Sequence, residues 1–372
     1  MKEGWEYRKL GEFIEEFSVR DKGKGYPVYS VTNTKGFCQE FFGKIVASEN
    51  TSNYKVVPRG CFAYNPSRIN VGSVAWQNQE ENVSVSPLYV VFSVSPKLRK
   101  DYLLYYIKSN YSMTFINALS RGAVRNNLRL STLKTFKVPY ASISEQQHVV
   151  EELDLLSFII EKKKAQLNEL NNLAQSLFYE MFGSPTGNEK SFPLLTVNDV
   201  IKFEGGSQPP KTSFEYTPTP DNVRLIQIRD YKTDAYITYV PKKLARKFCE
   251  EDDIMIGRYG PPIFQILKGI RGAYNVALMK AVPLKGNKEF VRAYLKQKCL
   301  LHYLETFSRR VAGQDGIQMD KLKAYPFPYP PIELQNQFAS KIAAIEHQKE
   351  FIKQSIKEVE TLFNSRMDYY FN

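Results

Sequence analysis

The sequence has few of the residues that build disulfide frameworks, zinc sites and membrane spans. Its four cysteines, Cys38, Cys61, Cys249 and Cys299, lie far apart and form no CxxC pair, which argues against a disulfide scaffold and a structural zinc site. No apolar run approaches the roughly 18 residues of a membrane helix, and the first residues lack the apolar stretch of a signal peptide. We therefore expect a soluble, cytoplasmic protein with reduced cysteines.

Motifs of DNA-modifying catalysis are also missing. The chain has no [ND]PP[YF] loop of an amino-methyltransferase, no glycine-rich cofactor turn and no Walker A lysine motif. Pro220, Asp221, Asp230 and Lys232 match a PD…(D/E)xK nuclease motif only loosely, and a turn followed by a strand explains the same residues. The three histidines fall in predicted helices, without a nearby cysteine or second histidine. We predict no catalytic residues and no metal or cofactor site.

Basic residues are in excess, and they are unevenly distributed. The chain has 51 Lys and Arg against 39 Asp and Glu, a net charge of +12. Residues 1–143 contain 20 basic and 11 acidic residues, and residues 187–331 contain 23 and 15, so these segments carry +9 and +8. The segments 144–186 and 332–372 are mildly acidic. Because a clustered basic surface attracts polyanions, the distribution indicates that both basic segments bind nucleic acid.

The two halves of the chain repeat each other at a distance of 189 residues. The segment LSTLKTFKVPYASISEQQ (130–147) is matched by MDKLKAYPFPYPPIELQN (319–336). Each leads into a long stretch without proline, in which apolar residues recur in alternating steps of four and three, as in a coiled-coil helix. The stripe begins at Val149 and at Phe338, and seven of its ten positions are apolar or aromatic in both halves. The repeat indicates a duplicated protein with two long helices.

The repeat also predicts how the chain is divided. With 372 residues it exceeds one typical domain of about 100 to 200 residues, and each half is expected to contain a globular unit, a short amphipathic helix and a long helix. A stretch rich in Gly, Pro and polar residues separates the halves, as hinges do. The predicted segments are a first globular unit (1–143), a first long helix (144–183), a linker (184–192), a second globular unit (193–331) and a second long helix (332–372).

Two basic units joined by two long helices suggest two DNA-reading units, here called heads, that the helices hold at a fixed separation. A helix of about 39 residues extends about 58 Å at about 1.5 Å per residue, whereas major-groove faces recur about every 34 to 36 Å. We therefore expect the heads to contact two separated half-sites. Because the heads differ in sequence, the half-sites should differ too.

Polar loop residues near glycines and aromatics are the candidates for DNA contacts, since Arg, Asn, Gln and Ser bind base edges and phosphates. Any one of them taken alone could equally be a solvated turn residue. The predicted DNA-binding residues are Asn65, Ser67, Arg68, Asn70, Arg121, Arg125, Asn126 and Asn127 in the first unit, and Ser207, Gln208, Lys211, Arg258, Tyr259 and Gln314 in the second.

The long helices have more aromatic residues than one helical seam requires. The seam positions themselves are expected to pack against the partner helix. The surplus predicts a surface on which a partner protein docks. Its predicted residues are Phe158, Phe178, Tyr179, Phe182, Phe351, Tyr369 and Phe371.

Several segments give the sequence a resemblance to a known family. In the first half they are WEYRKLGEF (5–13), YNPSRINVGSVA (64–75) and GAVRNNLRLSTLKTFKVPYASISEQ (122–146). In the second half they are VRLIQIRDYKTDAYI (223–237), EEDDIMIGRYG (250–260) and RGAYNVALMKAVP (271–283). In this order, and duplicated, they resemble the specificity subunit of type I restriction-modification enzymes, usually called HsdS, over the whole chain.

This resemblance implies a mixed α/β (α+β) fold with two target recognition domains. Each would be built on a small twisted β-sheet, and two long antiparallel coiled-coil helices would separate them in a pseudo-two-fold internal duplication. The resemblance also implies a non-catalytic subunit that binds double-stranded DNA and no cofactor of its own. Its implied partners are two methyltransferase subunits, which carry S-adenosylmethionine and methylate adenine in a bipartite asymmetric sequence, and two restriction subunits, which use ATP and Mg²⁺.

Three other interpretations remain open from the sequence. The recognition subunit of a type IIB-like restriction system would share the architecture and partner one fused methylase-nuclease. An enzyme that fuses recognition with cleavage would need the catalytic motifs that are missing here. A coiled-coil scaffold without DNA binding is disfavoured by the charge of the two globular segments, and it predicts a function insensitive to salt.

Overall fold

The chain folds into two compact units, each of which uses parts of both long helices. The structure, a computed structural model, describes residues 4–41, 44–45, 51–120, 127–260, 262–308 and 316–372. Unit 1 comprises Met1–Ala165 and Ile352–Asn372, and unit 2 comprises Gln166–Phe351. The five segments predicted from the sequence (two globular units, two long helices and a linker) stay a prediction, because the division into two units reflects packing contacts and not function.

Unit 1 is built from short strands and three short helices. Its strands are β1 (Glu6–Lys9), β2 (Ile14–Glu16), β3 (Ser30–Thr32), β4 (Gly36–Cys38), β5 (Glu40–Phe41), β6 (Lys44–Ile45), β7 (Lys55–Pro58), β8 (Phe62–Tyr64), β9 (Val74–Trp76), β10 (Asn82–Val85), β11 (Val90–Val94) and β12 (Lys137–Tyr140). Its short helices are α1 (Lys100–Lys108), α2 (Asn110–Ser120) and α3 (Leu130–Leu133), and the first long helix, α4 (Ile143–Phe182), begins in it.

Unit 2 has a similar set of elements. Its strands are β13 (Leu194–Thr196), β14 (Ile201–Gly205), β15 (Asn222–Ile226), β16 (Tyr239–Pro241), β17 (Phe248–Cys249), β18 (Ile254–Gly257), β19 (Gln265–Lys268), β20 (Gly272–Tyr274), β21 (Leu278–Pro283) and β22 (Pro326–Pro328). Its short helices are α5 (Val197–Val200), α6 (Lys288–Leu295), α7 (Lys298–Ser308) and α8 (Met319–Lys323), and the second long helix, α9 (Ile332–Phe371), begins in it.

Each unit is organised around an antiparallel four-stranded sheet of the same topology. The strand order is β2-β11-β8-β9 in unit 1 and β14-β21-β18-β19 in unit 2. Outside this sheet, β1 pairs with β12 and β13 pairs with β22, again in equivalent places. Strands β8 and β18 are buried along their whole length, which explains their apolar sequences FAY and IMIG. The duplication predicted from the sequence is therefore present in the fold.

The segment between the first and second strands, in chain order, of each four-stranded sheet differs between the units: β2 to β8 in unit 1 and β14 to β18 in unit 2. In unit 1 it forms the hairpins β3–β4 and β5–β6 and includes β7, which pairs with β10. In unit 2 it contributes to a second sheet of order β16-β15-β20-β17, in which β15 and β20 run parallel. The common framework thus supports a different insertion in each unit.

Each long helix has 40 residues, and its start is fixed by a buried glutamine. Gln146 accepts a hydrogen bond from the backbone N–H of Arg99 (2.8 Å) and donates to the carbonyl of Ala141 (2.9 Å). Gln335, 189 residues later, accepts from the N–H of Asn287 (2.8 Å) and donates to the carbonyl of Pro330 (2.7 Å). Both glutamines are fully buried, and these bonds satisfy amides that would otherwise be costly to bury.

Within unit 1, the beginning of α4 and the end of α9 run antiparallel. Glu152 of α4 accepts a hydrogen bond from Arg366 of α9 (2.8 Å), and Lys164, further along α4, pairs with Glu360, which comes earlier in α9 (2.8 Å). The predicted stripe faces this contact, and Leu153 is completely buried with the last turn of α9.

The described part of the chain has no helix with the length and apolar character that a membrane crossing requires.

Three of the aromatic residues predicted to dock a partner are instead core residues, so that prediction was wrong for Phe178, Phe182 and Phe371. Phe371 packs edge-on against Tyr102 of α1 in unit 1, with ring centroids 5.1 Å apart. Phe178 and Phe182 pack against Phe290 of α6 in unit 2, at 5.9 and 4.7 Å. All three are less than 5% exposed. The end of each long helix therefore belongs to the core of a unit.

Candidate nucleic-acid interface

In unit 1 the structure joins two segments that the sequence analysis predicted to bind DNA. The Ser67 hydroxyl donates to the side-chain oxygen of Asn127 (2.6 Å), and the Ser67 N–H donates to the side chain of Asn65 (3.0 Å). Beneath them, the buried Tyr64 donates its phenol proton to the carbonyl of Leu128 (3.0 Å). Burial raises the pKa of Tyr64, so the phenol stays neutral and remains a donor. These bonds hold the loop after β8 against the segment before α3.

A polar groove of about 560 Å³ lies beside this loop. One wall contains the predicted residues Ser67, Arg68 and Asn70, and the other is the turn of the β3–β4 hairpin, with Thr32, Asn33, Thr34 and Lys35. Ile69 is completely buried between the exposed Arg68 and the half-buried Asn70 and anchors the loop, and Gly72 ends it at a φ of 83°, a conformation suited to glycine. The groove therefore offers hydroxyl, amide and cationic groups from two rigid elements.

The hairpin residues of this groove were not found from the sequence. Their signal was the run TNTKG at 32–36, a polar turn closed by Gly36 at a φ of 62°. A turn of this kind is frequent on any protein surface, and only the folded structure places it opposite Arg68. Of the other residues predicted in unit 1, Asn127 is exposed beside Ser67, whereas Arg121, Arg125 and Asn126 lie outside the described residues.

In unit 2, Ser207, Arg258 and Tyr259 cluster around the turn between β20 and β21. The N–H of Ser207 donates to the carbonyl of Tyr274 (3.1 Å), and the N–H of Arg258 donates to that of Ala277 (2.9 Å). The Arg258 guanidinium lies 5.4 Å from the centroid of the Tyr259 ring, a cation–π distance. The cluster therefore presents a hydroxyl, a cation and an aromatic ring from neighbouring loops.

Of the other residues predicted in unit 2, Gln208 directly follows Ser207 in the chain, and among the described residues no hydrogen bond joins Gln208 or Lys211 to Arg258 or Tyr259. Gln208 is exposed and makes only a 3.3 Å contact with the adjacent Pro209 carbonyl. Lys211 is exposed at the start of the 3₁₀ turn Lys211–Ser213. Gln314 lies outside the described residues. The roles of all the predicted contact residues in DNA binding stay a prediction.

A second concave site in unit 2 was missed by the sequence analysis. It is a cleft of about 490 Å³ whose lining includes Tyr216, Pro218, Arg229, Asp234, Tyr236 and Tyr239. Arg229 donates to the hydroxyl of Thr238 (3.0 Å), and its guanidinium lies 5.8 Å from the centroid of the Tyr236 ring. Apart from Asp230 and Lys232 of the loose nuclease match, the segment 223–237 was noted only for its resemblance to a family, because Arg229 and Tyr236 do not stand out before the fold brings them together.

The carboxylate that suggested a nuclease motif has a structural role. Asp230 is buried and accepts a hydrogen bond from the N–H of Gln227 (3.1 Å), which caps the 3₁₀ turn Ile228–Tyr231. Its burial raises its pKa, since the charged form is poorly solvated there. Over the residues that the structure describes, no group of three or more His, Cys, Asp or Glu is placed to hold a metal ion. This geometry gives no support to a metal-dependent nuclease at Asp230.

Four of the aromatic residues predicted to dock a partner are exposed on the long helices. Phe158 and Tyr369 belong to unit 1, and Tyr179 and Phe351 to unit 2. Phe351 is the most exposed, at 73%. Their use in docking stays a prediction.

Comparison with known proteins places the chain beside DNA specificity subunits. Residues 2–172 match the family model of the type I restriction modification DNA specificity domain. The chain is 21% identical to the type I restriction enzyme MjaX specificity subunit of Methanocaldococcus jannaschii, over 96% of this chain and 90% of that protein.

Two solved structures have a similar fold. One is a chain from a study of complex assembly and conformational transition in the type I R-M system, which is 17% identical with a TM-score of 0.55, over 100% of this chain and 98% of that one. The other is the type I restriction-modification system S subunit from M. genitalium, which is 15% identical with a TM-score of 0.55, over 99% of this chain and 96% of that one. At these identities the likeness shows the fold.

Proposed function

We propose that this chain is a specificity subunit of the type I restriction-modification family and that it recognises a bipartite, asymmetric DNA sequence. One observation carries the proposal: equivalent four-stranded sheets in the two units present different polar loops. Unit 1 presents the groove beside Ser67 and Asn127, and unit 2 presents the cluster of Ser207 and Arg258. Because base edges are read by side-chain donors and acceptors, two different loop sets on one framework read two different half-sites.

The distribution of charge supports DNA as the ligand. The basic excess lies in the segments 1–143 and 187–331, which carry +9 and +8. Binding that neutralises phosphates releases counterions, so the affinity should fall steeply with salt. A scaffold that binds only other proteins would not show this dependence.

In this proposal the chain directs catalysis that takes place in other subunits. Two methyltransferase subunits, which carry S-adenosylmethionine, would dock on the long helices through exposed aromatics such as Phe158, Tyr179, Phe351 and Tyr369. Two restriction subunits, which use ATP and Mg²⁺, would complete the nuclease. The 40-residue helices, about 60 Å each, would set the spacing between half-sites.

The test is to co-express the chain with the methyltransferase subunit expected to be encoded beside it, and to map modified adenines by single-molecule sequencing of the host genome. We expect methylation at one two-part asymmetric motif, and its loss when the chain is omitted. A palindromic motif, or methylation that persists without the chain, would contradict the proposal. Binding of the purified complex to a duplex with this motif, measured between 50 and 200 mM salt, should weaken by orders of magnitude.

A further inference from the structure

The cleft around Arg229 in unit 2 has the form of a preorganised recognition site. Its mouth is flanked by Tyr216 and Tyr236, which are 74% and 63% exposed. Each exposed tyrosine offers a ligand both a flat ring and a hydroxyl. Arg229 lines the cleft between them, with a side chain that is 46% exposed.

Arg229 is held in place from below by a buried hydroxyl. Thr238 is completely buried, and its oxygen accepts hydrogen bonds from Arg229 Nη2 (3.0 Å) and from Gln227 Nε2 (3.1 Å). The guanidinium also lies within cation–π distance of the Tyr236 ring, at 5.8 Å. One of its five N–H donors is used by Thr238, and Nε lies 3.9 Å from the buried Asp230 carboxylate, so the Nη groups keep donors for a ligand. Fixing a long side chain before binding reduces the entropy that binding has to overcome.

The surroundings of the cleft favour a polyanion. Asp234 lines the cleft and is paired with Arg224 (2.9 Å), and the buried Asp230 lies 4.0 Å from Arg224 and 3.9 Å from Arg229, so both carboxylates are offset by cations. Residues 236–249, which continue from the cleft through β16 to β17, contain Lys242, Lys243, Arg246 and Lys247 and no acidic residue. These four side chains are exposed. A ligand entering the cleft therefore meets a positive potential.

From these observations we infer that Arg229 reads a guanine in the half-site bound by unit 2. This inference rests on the proposed DNA-recognition function and assigns a base to one residue of it. An arginine held in a fixed orientation can donate two parallel hydrogen bonds to O6 and N7 of guanine in the major groove, which is the commonest specific contact between a side chain and a base. Tyr216 and Tyr236 would contact the neighbouring nucleotides, and Lys242 to Lys247 the phosphates.

The test uses the full chain co-expressed with its methyltransferase. The readout is the sequence of the methylated motif, together with the extent of methylation. We expect Arg229→Ala to make one G·C position in the second half of the motif degenerate, with discrimination there reduced about 10- to 100-fold. The first half should be unchanged. Arg229→Lys should relax the same position, because lysine keeps the charge and lacks the fork. Thr238→Val, which removes the anchoring hydroxyl at nearly constant volume, should relax it more weakly.

Arg271→Ala is the matched control. Arg271 is a basic residue of the same unit, its side chain is 80% exposed, it pairs with Glu250 (3.5 Å), and it does not line the cleft. This variant should methylate the wild-type motif.

The contrary outcomes are distinct. An equal loss of methylation at every site, with the motif preserved in both Arg229 variants, would make Arg229 a phosphate contact and overturn the inference. An unchanged motif and level, or relaxation at a position other than a G·C pair, would overturn it as well. If Arg229→Ala fails to assemble with the methyltransferase, Arg229→Lys and Thr238→Val decide. A wild-type complex that methylates no bipartite motif would instead refute the proposed function itself.

Discussion

Phe182 and Phe371 occupy equivalent positions of the internal repeat and show what a single residue does in this fold. Each is the last residue of a long helix, and each packs against a short helix of a unit, Phe371 on Tyr102 of α1 and Phe182 on Phe290 of α6. These two rings are therefore part of the units' cores and are unavailable to a partner. Their spacing along the helix gave no sign of this, because burial is decided by residues far away in the chain.

Truncating these rings should destabilise one unit at a time. We expect Phe371→Ala to lower the free energy of unfolding of unit 1 by about 3 to 5 kcal/mol, and Phe182→Ala to do the same for unit 2, because each leaves a cavity in a packed core. Hydrogen exchange followed by segment would locate the loss. Phe351→Ala is the control, and its exposed ring should contribute less than about 0.5 kcal/mol. Equal loss of protection in both units after either substitution would contradict the expectation.

A hydrogen-bonded carboxylate in unit 1 gives a prediction for pH. The pKa of Glu152 is held below its ordinary value, chiefly by the hydrogen bond from Arg366 and also by Tyr370. Since its pKa is lower in the folded than in the unfolded state, the network stabilises unit 1 above the ordinary glutamate pKa of about 4.3. That stabilisation is lost as the pH falls through the lowered folded-state pKa.

Glu152→Gln should therefore lower the free energy of unfolding by about 1 to 2 kcal/mol at neutral pH, and the difference from wild type should shrink in acid. Urea unfolding of both proteins between pH 3 and pH 8 would measure it. Glu360→Gln is the control, because Glu360 and Lys164 form an exposed pair that should contribute less than about 1 kcal/mol. A difference that stays constant down to pH 3 would count against the charged network.

At the scale of elements, a loop that carries predicted DNA contacts in unit 2 is fixed by a close backbone contact with the main sheet. Gly206 directly follows β14 and donates its N–H to the carbonyl of Leu278 (3.1 Å). It lies so close to the turn before β21 that a Cβ on residue 206 would be 1.9 Å from the carbonyl oxygen of Asn275. Only glycine fits there. The contact fixes the position of Ser207, the next residue.

Gly206→Ala should displace this loop and weaken recognition of the second half-site, with a cost of about 1 to 3 kcal/mol for the forced shift. Methylation of the wild-type motif in the co-expression experiment would fall, and thermal unfolding would show the loss of stability. The neighbouring substitution Gly205→Ala is the control, because its Cβ would meet nothing closer than the Arg258 guanidinium at 3.9 Å. The idea fails if both alanine variants behave alike.

At the scale of the whole molecule, the proposed function makes the long helices the determinant of spacer length. Seven residues inserted in each helix at the boundary between the units, after Ala165 and after Phe351, would keep the heptad register and add about 10 Å to each helix. We expect the spacer of the methylated motif to lengthen by about 3 base pairs while both half-sites keep their sequences. The same insertion between Pro185 and Thr186, outside both helices, is the control and should leave the spacer unchanged. If the helix insertions do not change the spacer length either, the helices do not determine it.

The sequence by itself determined the duplication, the two long helices, the basic character of both globular segments and the resemblance to DNA specificity subunits. These features are local or additive. The apolar face of a helix recurs every three or four residues in the sequence, and the net charge is a sum over the residues of a segment. Loop chemistry also predicted Ser67 and Asn127 as separate candidate DNA contacts, whereas the hydrogen bond that joins them appears only in the fold.

Only the tertiary structure decided which strands pair, which aromatics are buried and where Arg229 lies. Strand β2 pairs with β11, more than 70 residues away, and Phe371 reaches its core position beside Tyr102 from the other end of the chain. Arg229 becomes a candidate only when the fold sets it on Thr238 and over Tyr236. Burial and preorganisation depend on contacts between distant residues, and a single sequence contains no periodicity that reports them.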